Sequence, residues 1–350
     1  MVNIPSDQVT SRPEGAVADT ATIASVATRA GVSRQTVSNA LNAPHRVRPE
    51  TLARVMQVVD ELGYRPNRSA RSLRTQASRL IGLQTEAPDG RASSILDRFL
   101  HALTDAAREH DHNVLLFTNA HPDDPEVGYE TLHRSAAVDG FVLTGTHVHD
   151  PRVEFLTGHG LPFVTFGRSW GESGSPRWVD VDGAAGTEQA VEHLASRGHR
   201  RIAFLGWSPA SEVGQDRLNG WRRGVARLGL AEGEIERSPE DVVQGALAAG
   251  RLLKGSEPPT AIVCASDTLA AGALRALADS GTAAGEVGVV GFDDSPIARL
   301  VTPGLTSVAQ PIEDVARAVF AVLLRAIEGD PLSEQDRVLL APSLVVRDST

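Results

Sequence analysis

From residue 80 onward the chain alternates short apolar runs with longer amphipathic segments, and this alternation restricts the possible folds more than any other feature. Uninterrupted apolar runs indicate strands that are buried on both faces, and such strands occur in parallel sheets connected by helices. The predicted strands cover residues 80–84, 114–118, 140–144, 163–167, 201–206, 261–265 and 287–291. The predicted helices cover residues 95–110, 187–197, 217–228, 268–280 and 312–328. We therefore expect an α/β architecture for residues 80–350.

The segment before residue 65 has a helical pattern instead. Thr22 can cap a first helix that ends at Gly31, and Ser33 can cap a second helix. Pro49 suits the first position of a third helix, which Gly63 would end. This third helix is expected to direct its apolar residues inward, namely Leu52, Val55, Met56, Val59 and Leu62. Two short helices joined by a glycine turn predict a helix-turn-helix.

Charge is distributed unevenly along the chain. The formal net charge of the whole chain is -10, yet residues 20–79 contain ten arginines against three acidic residues. Residues 1–19 have no periodicity and are predicted to form a disordered tail. A basic module fused to an acidic body is typical of a phosphate-binding domain attached to a body that does not bind DNA.

The second predicted helix presents polar side chains outward. Arg34, Gln35 and Asn39 are suited to the edges of bases, and Thr36 and Ser38 could contact phosphates. The alternative is a three-helix bundle whose arginines are simply solvated. The combination of turn spacing and basic charge favours DNA binding.

Two motifs connect this segment to a known family. Residues 30–42 read Ala-Gly-Val-Ser-x-x-Thr-Val-Ser-x-x-Leu-Asn, and residues 62–67 read Leu-Gly-Tyr-x-Pro-Asn. The chain thus resembles the LacI/GalR family of transcriptional regulators, and the resemblance continues along its whole length. It departs from the family at Ser25, where aspartate is usual, and at Asn39, where arginine is frequent.

The resemblance implies an all-α helix-turn-helix headpiece at residues 20–65, followed by an α/β two-lobed, periplasmic-binding-protein-like sensor domain at residues 80–350. The first lobe would comprise about residues 80–180 and 310–331, and the second about residues 181–309 and 332–350. The domain would bind an effector and form the dimer.

Residues 66–79 lie between the two modules and could be a basic linker on composition alone. The resemblance implies instead a hinge helix that folds on DNA, in which Asn67 and Arg68 contact the operator and Leu73 wedges into a minor-groove step. An exposed leucine among arginines is consistent with such a wedge.

Polar residues follow several predicted strands of the sensor, where ligands of parallel sheets bind. The resemblance assigns effector contacts to Arg217, Ser266, Asp293 and Gln310. Arg168, which follows strand 163–167, is also predicted to bind the effector. We expect Arg217 and Asp293 to lie at facing strand ends and to bind sugar hydroxyls.

Several residues near this site also have a structural explanation. Asp267 could simply cap the helix that begins at Thr268. The aromatic residues Trp207, Trp221 and Phe292 could either contact a sugar ring or lie in the core.

The predicted function is sequence-specific binding to palindromic operator DNA as a homodimer, with repression controlled by a small polar effector such as a sugar. A solute receptor of a transport system would share the two-lobed core, but it would need a secretion signal and no headpiece. The first twenty residues lack a signal-peptide apolar region and no apolar run could span a bilayer, so we expect a cytoplasmic, nucleoid-associated protein without membrane contact.

Motifs for chemistry are missing from the sequence. No predicted strand leads into a Gly-x-Gly-x-x-Gly turn, and no phosphate-binding loop for nucleotide hydrolysis occurs. His147 and His149 form a pair without further ligands, and Cys264 lies in an apolar run. We therefore expect no enzyme activity, no metal and no cofactor.

The hinge assignment predicts the effect of Leu73→Ala. Removing the wedge should weaken binding to the operator while leaving salt-dependent, non-specific binding nearly unchanged, because the arginines that contact phosphates remain. Gel-shift titrations with operator and with random DNA at two salt concentrations measure both affinities. An equal loss of specific and non-specific binding would contradict the wedge.

Overall fold

The structure is a computed structural model that describes residues 21–64, 77–85, 94–118, 126–168, 170–171, 174–283 and 285–350. The chain divides into two compact units, which meet in sequence at Ala77 and Ser78. The predicted tail at residues 1–19 lies outside the described residues, as do Asn67, Arg68 and Leu73 of the predicted hinge.

The first unit is helical. Its described residues form α1 (Ile23–Ala30), α2 (Arg34–Asn42) and α3 (Pro49–Leu62), with a 3₁₀ turn at Pro44–Arg46. Gly31 has a φ of 63°, a left-handed conformation that glycine adopts without strain, and it ends α1 where the chain turns into α2. The predicted helix-turn-helix is therefore confirmed.

Ser25 changes how α1 begins. The Ser25 hydroxyl lies 2.8 Å from the backbone nitrogen of Thr22, and the Thr22 hydroxyl accepts a hydrogen bond from the Ser25 backbone nitrogen at 3.2 Å. These reciprocal bonds form a capping box at the start of α1. Serine at this position therefore provides a hydrogen-bond acceptor for the backbone N–H of Thr22 at the start of the helix.

The core of the first unit differs from the prediction at one position of α3. Val55, Val58 and Val59 are buried, whereas Met56 is 39% exposed, so the inward assignment of Met56 was wrong. Residues three and four apart share a helix face, and Val58 and Val59 continue the face of Val55. Met56 is rotated away from that face by about 100°.

The second unit contains two parallel-type sheets of six strands among the described residues. The first sheet has the order β11-β5-β4-β3-β1-β2 and the second the order β12-β10-β9-β8-β6-β7. Neighbouring strands are parallel except β10 and β12, which are antiparallel. The strands are β1 (Leu80–Gln84), β2 (Asn113–Phe117), β3 (Gly140–Thr144), β4 (Phe163–Phe166), β5 (Trp178–Val181), β6 (Ile202–Gly206), β7 (Ile235–Arg237), β8 (Ala261–Cys264), β9 (Gly288–Asp293), β10 (Thr306–Ala309), β11 (Arg337–Leu340) and β12 (Ser343–Val345).

Helices connect the strands, and each sheet has its own buried core. The prediction missed β5, β7, β10 and the helices Val127–Arg134, Pro151–Gly158, Val242–Leu253 and Ile297–Leu300. The helices of this unit are α4 (Ser94–Glu109), α5 (Val127–Arg134), α6 (Pro151–Gly158), α7 (Gly183–Ser196), α8 (Glu212–Arg227), α9 (Val242–Leu253), α10 (Asp267–Asp279), α11 (Ile297–Leu300) and α12 (Ile312–Ile327). The predicted α/β two-lobed class is confirmed. The first lobe is the part of this unit built around the first sheet, and the second lobe is the part built around the second sheet.

The chain crosses between the lobes later than predicted. β11 pairs with β5 in the first sheet, and β12 pairs with β10 in the second. Residues 337–340 therefore belong to the first lobe, and the assignment of all of residues 332–350 to the second lobe was wrong. β11 and β12 are separated by Pro342, which lacks the backbone N–H that a continuous strand would use in a sheet.

The contact between α7 and α8 leaves no room at Gly220, where a β-carbon would collide with the Ala184 carbonyl oxygen and the Thr187 hydroxyl. Gly220→Ala should therefore lower the free energy of unfolding by about 1–3 kcal/mol. Urea denaturation measures this change. Gly250→Ala is the matched control, because Gly250 lies in α9 with no atom within 4 Å of its β-carbon position, and it should be neutral or stabilising by up to about 1 kcal/mol.

Candidate functional site

The start of α2 carries the predicted DNA-contacting residues. Ser33 caps the helix by accepting a hydrogen bond from the Thr36 backbone nitrogen at 3.0 Å, and the hydroxyls of Ser33 and Thr36 lie 2.9 Å apart. Thr36 thus takes part in the helix cap. Arg34 and Gln35 are exposed on the first turn.

Gln35 and Asn39 form a pair on the outer face of α2. The Gln35 amide nitrogen donates to Asn39 Oδ1 at 3.0 Å, as expected for residues one helical turn apart. Ser38 is half-buried beside them. The structure brings Gln35 and Asn39 together on one face, where their amides could read adenine edges jointly.

A cleft of about 970 Å³ lies between the two lobes. Its lining includes Thr144 and Phe166 at the ends of β3 and β4, and Asp293 at the end of β9. Gln310, on the crossing after β10, also lines it. Because parallel strands of one sheet end at the same edge, both sheets direct their carboxyl ends to this cleft.

Arg217 lies at the centre of the second-lobe side of the cleft. Its guanidinium donates to the Ala265 carbonyl oxygen and lies 3.4 Å from Asp293 Oδ1. It also lies 3.6 Å from the centroid of the Phe292 ring, a cation–π arrangement. Arg217 is only 6% exposed, and these contacts compensate part of the cost of burying its charge, while its buried Nε has no hydrogen-bond partner among the described residues.

The expectation that Arg217 and Asp293 face each other from two strand ends was wrong in one respect. Arg217 lies inside α8, and both residues belong to the second lobe. They are neighbours on one wall of the cleft. A ligand that bridges the lobes must make its first-lobe contacts with other residues.

Asp293 has an unusual backbone and a raised pKa. Its φ of 106° is rarely adopted by residues other than glycine. Gln310 donates to Asp293 Oδ1 at 2.7 Å. Burial raises the pKa of Asp293 to about 6, although the Arg217 guanidinium acts in the opposite direction.

The cap of α10 is Ser266 and not Asp267, for which the sequence suggested this role. Ser266 caps α10 by accepting from the Leu269 backbone nitrogen at 3.2 Å, and its hydroxyl donates to Glu240 Oε2 at 2.8 Å. Asp267 is therefore not the cap. It accepts hydrogen bonds from the Ser295 backbone nitrogen and the Ser307 hydroxyl, and it lines the cleft.

Asp267 is a buried carboxyl group, 1% exposed. Burial, and to a lesser extent the nearby Asp293 carboxylate, raise its pKa to about 7. The hydrogen bonds from Ser307 and Ser295 oppose this shift only in part. Close to neutral pH, Asp267 can therefore exist with or without its proton.

Arg168 links the two lobes. Its Nε donates to Asp180 Oδ2 of β5 at 2.8 Å, and its Nη2 donates to Asp216 Oδ2 of α8 at 2.8 Å. The Ala184 backbone nitrogen also donates to Asp216, at 3.0 Å. The Arg168 guanidinium thus holds one carboxylate from each lobe, and its contact with the effector stays a prediction.

The aromatic residues divide between core and cleft. Trp221 is fully buried and packs against Phe204 in the second-lobe core, so it has no exposed face for a ligand. Trp207 and Phe292 line the cleft. Trp170 lines it too and lies 4.8 Å below the Arg168 guanidinium.

Sequence reasoning missed Glu240, Asp216, Asp180 and Trp170. Glu240 follows β7, a strand of three residues that is too short to be recognised by periodicity. Asp216 precedes Arg217 in the middle of a helix, where the rule of strand ends gives no signal. Only the packing of α8 across the second sheet brings Asp216 to the cleft.

Comparison with known proteins gives consistent matches for both units. Residues 22–67 match the family described as bacterial regulatory proteins, lacI family, and residues 191–350 match the periplasmic binding protein-like domain. The chain is 34% identical over 328 residues to the HTH-type transcriptional regulator AglR of Rhizobium meliloti (strain 1021), covering 91% of each chain.

Two solved structures are similar over nearly the whole chain. The transcriptional regulator CelR–cellobiose complex has a TM-score of 0.70 and 30% identity, covering 94% of this chain and 100% of that one. The lac repressor dimer bound to operator and the anti-inducer ONPF has a TM-score of 0.81 and 26% identity, covering 94% of this chain and 99% of that one. Within the described residues, no helix is both long and apolar enough to cross a membrane.

The raised pKa of Asp267 predicts a pH dependence of stability. Between about pH 4 and 7 the folded protein retains a proton on Asp267 that the unfolded chain has lost, so the free energy of unfolding should fall as pH rises through this range. Asp267→Asn removes the titrating group. The free energy of unfolding of this variant, minus that of wild type, should rise by about 1 kcal/mol or more from pH 4 to pH 8, as measured by urea denaturation. A constant difference across this range would contradict the raised pKa.

Proposed function

Because this chain belongs to the LacI family of bacterial regulatory proteins, we propose that it represses transcription by binding a palindromic operator as a homodimer, and that a sugar in the cleft controls its operator affinity. Its relatives are named as transcriptional regulators, which supports the expectation that this chain is a regulator. A nucleoid-associated, cytoplasmic location is part of the proposal.

The observation that best supports effector control is the cleft itself. Its volume of about 970 Å³ is at the upper end of the range for small-molecule sites. Arg217, Asp293 and Gln310 are joined by hydrogen bonds on its second-lobe wall. A guanidinium, a carboxylate and an amide present both donors and acceptors, which is the chemistry that sugar hydroxyls require.

Two relatives support this choice of ligand and partner. The CelR structure contains cellobiose, and the lac repressor structure contains operator DNA and a dimer. For this chain, Arg34, Gln35, Ser38 and Asn39 are proposed to contact the operator, with Asn67, Arg68 and Leu73 of the hinge. A homodimer places two copies of α2 on two half-sites.

The link from Arg168 to Asp216 supplies a route from effector to operator. The lobes can be arranged with this link formed or with it broken. A ligand in the cleft that binds one arrangement more tightly than the other shifts the equilibrium toward that arrangement. The hinge joins the first lobe at Ser78 in the sequence. A change in lobe arrangement can therefore alter how two hinges of a dimer approach the DNA.

The proposal predicts that Arg217→Ala reduces sugar binding by more than tenfold while operator binding without sugar is retained. Loss of a charge-assisted hydrogen bond costs about 1.5–3 kcal/mol, which corresponds to that factor. Thermal-shift screening of neutral sugars identifies a ligand for wild type, calorimetry compares the affinities, and gel shifts measure operator binding.

Arg222→Ala is the matched control, since Arg222 lies on the same helix but forms an exposed ion pair with Glu232. It should retain both activities. Unchanged sugar affinity in Arg217→Ala would place the effector elsewhere, and loss of operator binding in the absence of sugar would show that Arg217 is structural.

A further inference from the structure

The cleft is strongly acidic. Six of its lining residues carry carboxyl groups, namely Asp180, Asp216, Glu240, Asp241, Asp267 and Asp293. Among the described lining residues, Arg217 is the only lysine or arginine. Arg168 lies next to the lining residue Gly167 and contacts two of the six carboxylates. A ligand that enters this cleft meets mainly negative charge.

Both guanidinium groups are already engaged by the protein. Arg168 holds Asp180 and Asp216, whose oxygens each lie 2.8 Å from it. Arg217 holds the Ala265 carbonyl and Asp293, and its face is covered by Phe292. A phosphate or carboxylate on a ligand would have to share these guanidinium groups with the protein carboxylates that they already bind, close to other negative charges.

Glu240 is held in a fixed position with one oxygen in use. Its Oε2 accepts hydrogen bonds from the Trp207 indole nitrogen at 2.6 Å and from the Ser266 hydroxyl at 2.8 Å. Trp207 is itself fixed, because Arg237 donates to its carbonyl oxygen at 2.8 Å. Within the described part of the chain, Oε1 of Glu240 has no hydrogen-bond partner.

Asp293 repeats this arrangement on the same wall of the cleft. Arg217 and Gln310 both bind its Oδ1. No described residue donates a hydrogen bond to its Oδ2. Glu240 lies close enough to raise the pKa of Asp293 by charge repulsion, although burial is the larger cause. The second-lobe wall thus presents two acceptor oxygens that need donors and no free cation among the described residues.

We propose that the cleft selects a sugar that offers hydrogen-bond donors and carries no acidic group, and that Glu240 determines this selectivity. A hydroxyl or an ammonium group of the ligand donates to Glu240 Oε1, whereas a sugar acid or sugar phosphate is repelled. This inference rests on the proposed control by a sugar. It adds which charge the sugar can carry and which residue determines that preference.

The first test compares sugars that share a skeleton but differ in charge. The full-length protein is screened by thermal shift and calorimetry with glucose, galactose, maltose and cellobiose, with glucosamine and galactosamine, and with glucuronate, galacturonate and glucose 6-phosphate. Every sugar that binds should be neutral or amino-bearing, and each acid should bind at least about tenfold more weakly than its neutral parent.

The possible failures are distinguishable. An acid that binds as tightly as its neutral parent would overturn the charge selectivity and leave control by a sugar standing. Binding by none of these sugars would overturn the sugar effector and this inference with it. Raising the salt concentration should reduce the difference in affinity between a sugar acid and its neutral parent, because salt screens the electrostatic repulsion.

The second test assigns the selectivity to Glu240. In Glu240→Gln the amide oxygen can still accept from Trp207 and Ser266, so the wall is retained, while an NH₂ group replaces the free acceptor oxygen. Relative to its affinity for neutral sugars, the variant should bind amino sugars about tenfold more weakly. The difference in affinity between a sugar acid and its neutral parent should become smaller than in wild type. A loss of all binding in equal proportion would show a purely structural role and overturn the assignment.

Glu257→Gln is the matched control. Glu257 is exposed in the same lobe and does not line the cleft, so its substitution makes the same change in net charge without changing the ligand wall. It should leave the ranking of neutral, amino and acidic sugars unchanged. If it shifted the ranking as much as Glu240→Gln, the selectivity would belong to the overall charge of the protein.

Discussion

The buried guanidinium of Arg217 organises the second-lobe side of the cleft. A cation this far from water is stable only when other groups replace its solvent shell. Here the replacement comes from three groups on two strands: the carbonyl of Ala265 after β8, the ring of Phe292 in β9 and the carboxylate of Asp293 at the end of β9. Arg217 therefore holds α8 against the ends of two strands of the second sheet.

The negative charge of the cleft follows from the same constraint. Asp293 compensates Arg217, and Gln310 then binds Asp293 from the crossing between the lobes. Asp267 lies behind this group, bound by Ser295 and Ser307, with a pKa raised to about 7. Clustered carboxylates with raised pKa values are costly for folding and are found preferentially at functional sites. In this protein they line the cleft between the two lobes.

The sequence determined the fold class and the positions of the main elements. Helix caps at Thr22 and Ser33 and the glycine turn at Gly31 are local features, so the helix-turn-helix could be read without tertiary information. Apolar runs long enough to show periodicity were recognised as strands. Short elements without a run of apolar residues, such as β7 and α11, gave no usable pattern.

The sequence also indicated Arg217, Asp293 and Gln310 as candidates for one site, because the family resemblance marks all three and Asp293 follows a predicted strand. Tertiary structure alone decided which partner each charge has. Arg168 binds Asp216 across the lobes, Glu240 reaches the cleft from the edge strand of the second sheet, and β11 joins the first sheet although it follows α12. These contacts join residues far apart in the chain, and their energies depend on distance and burial, which local sequence does not encode.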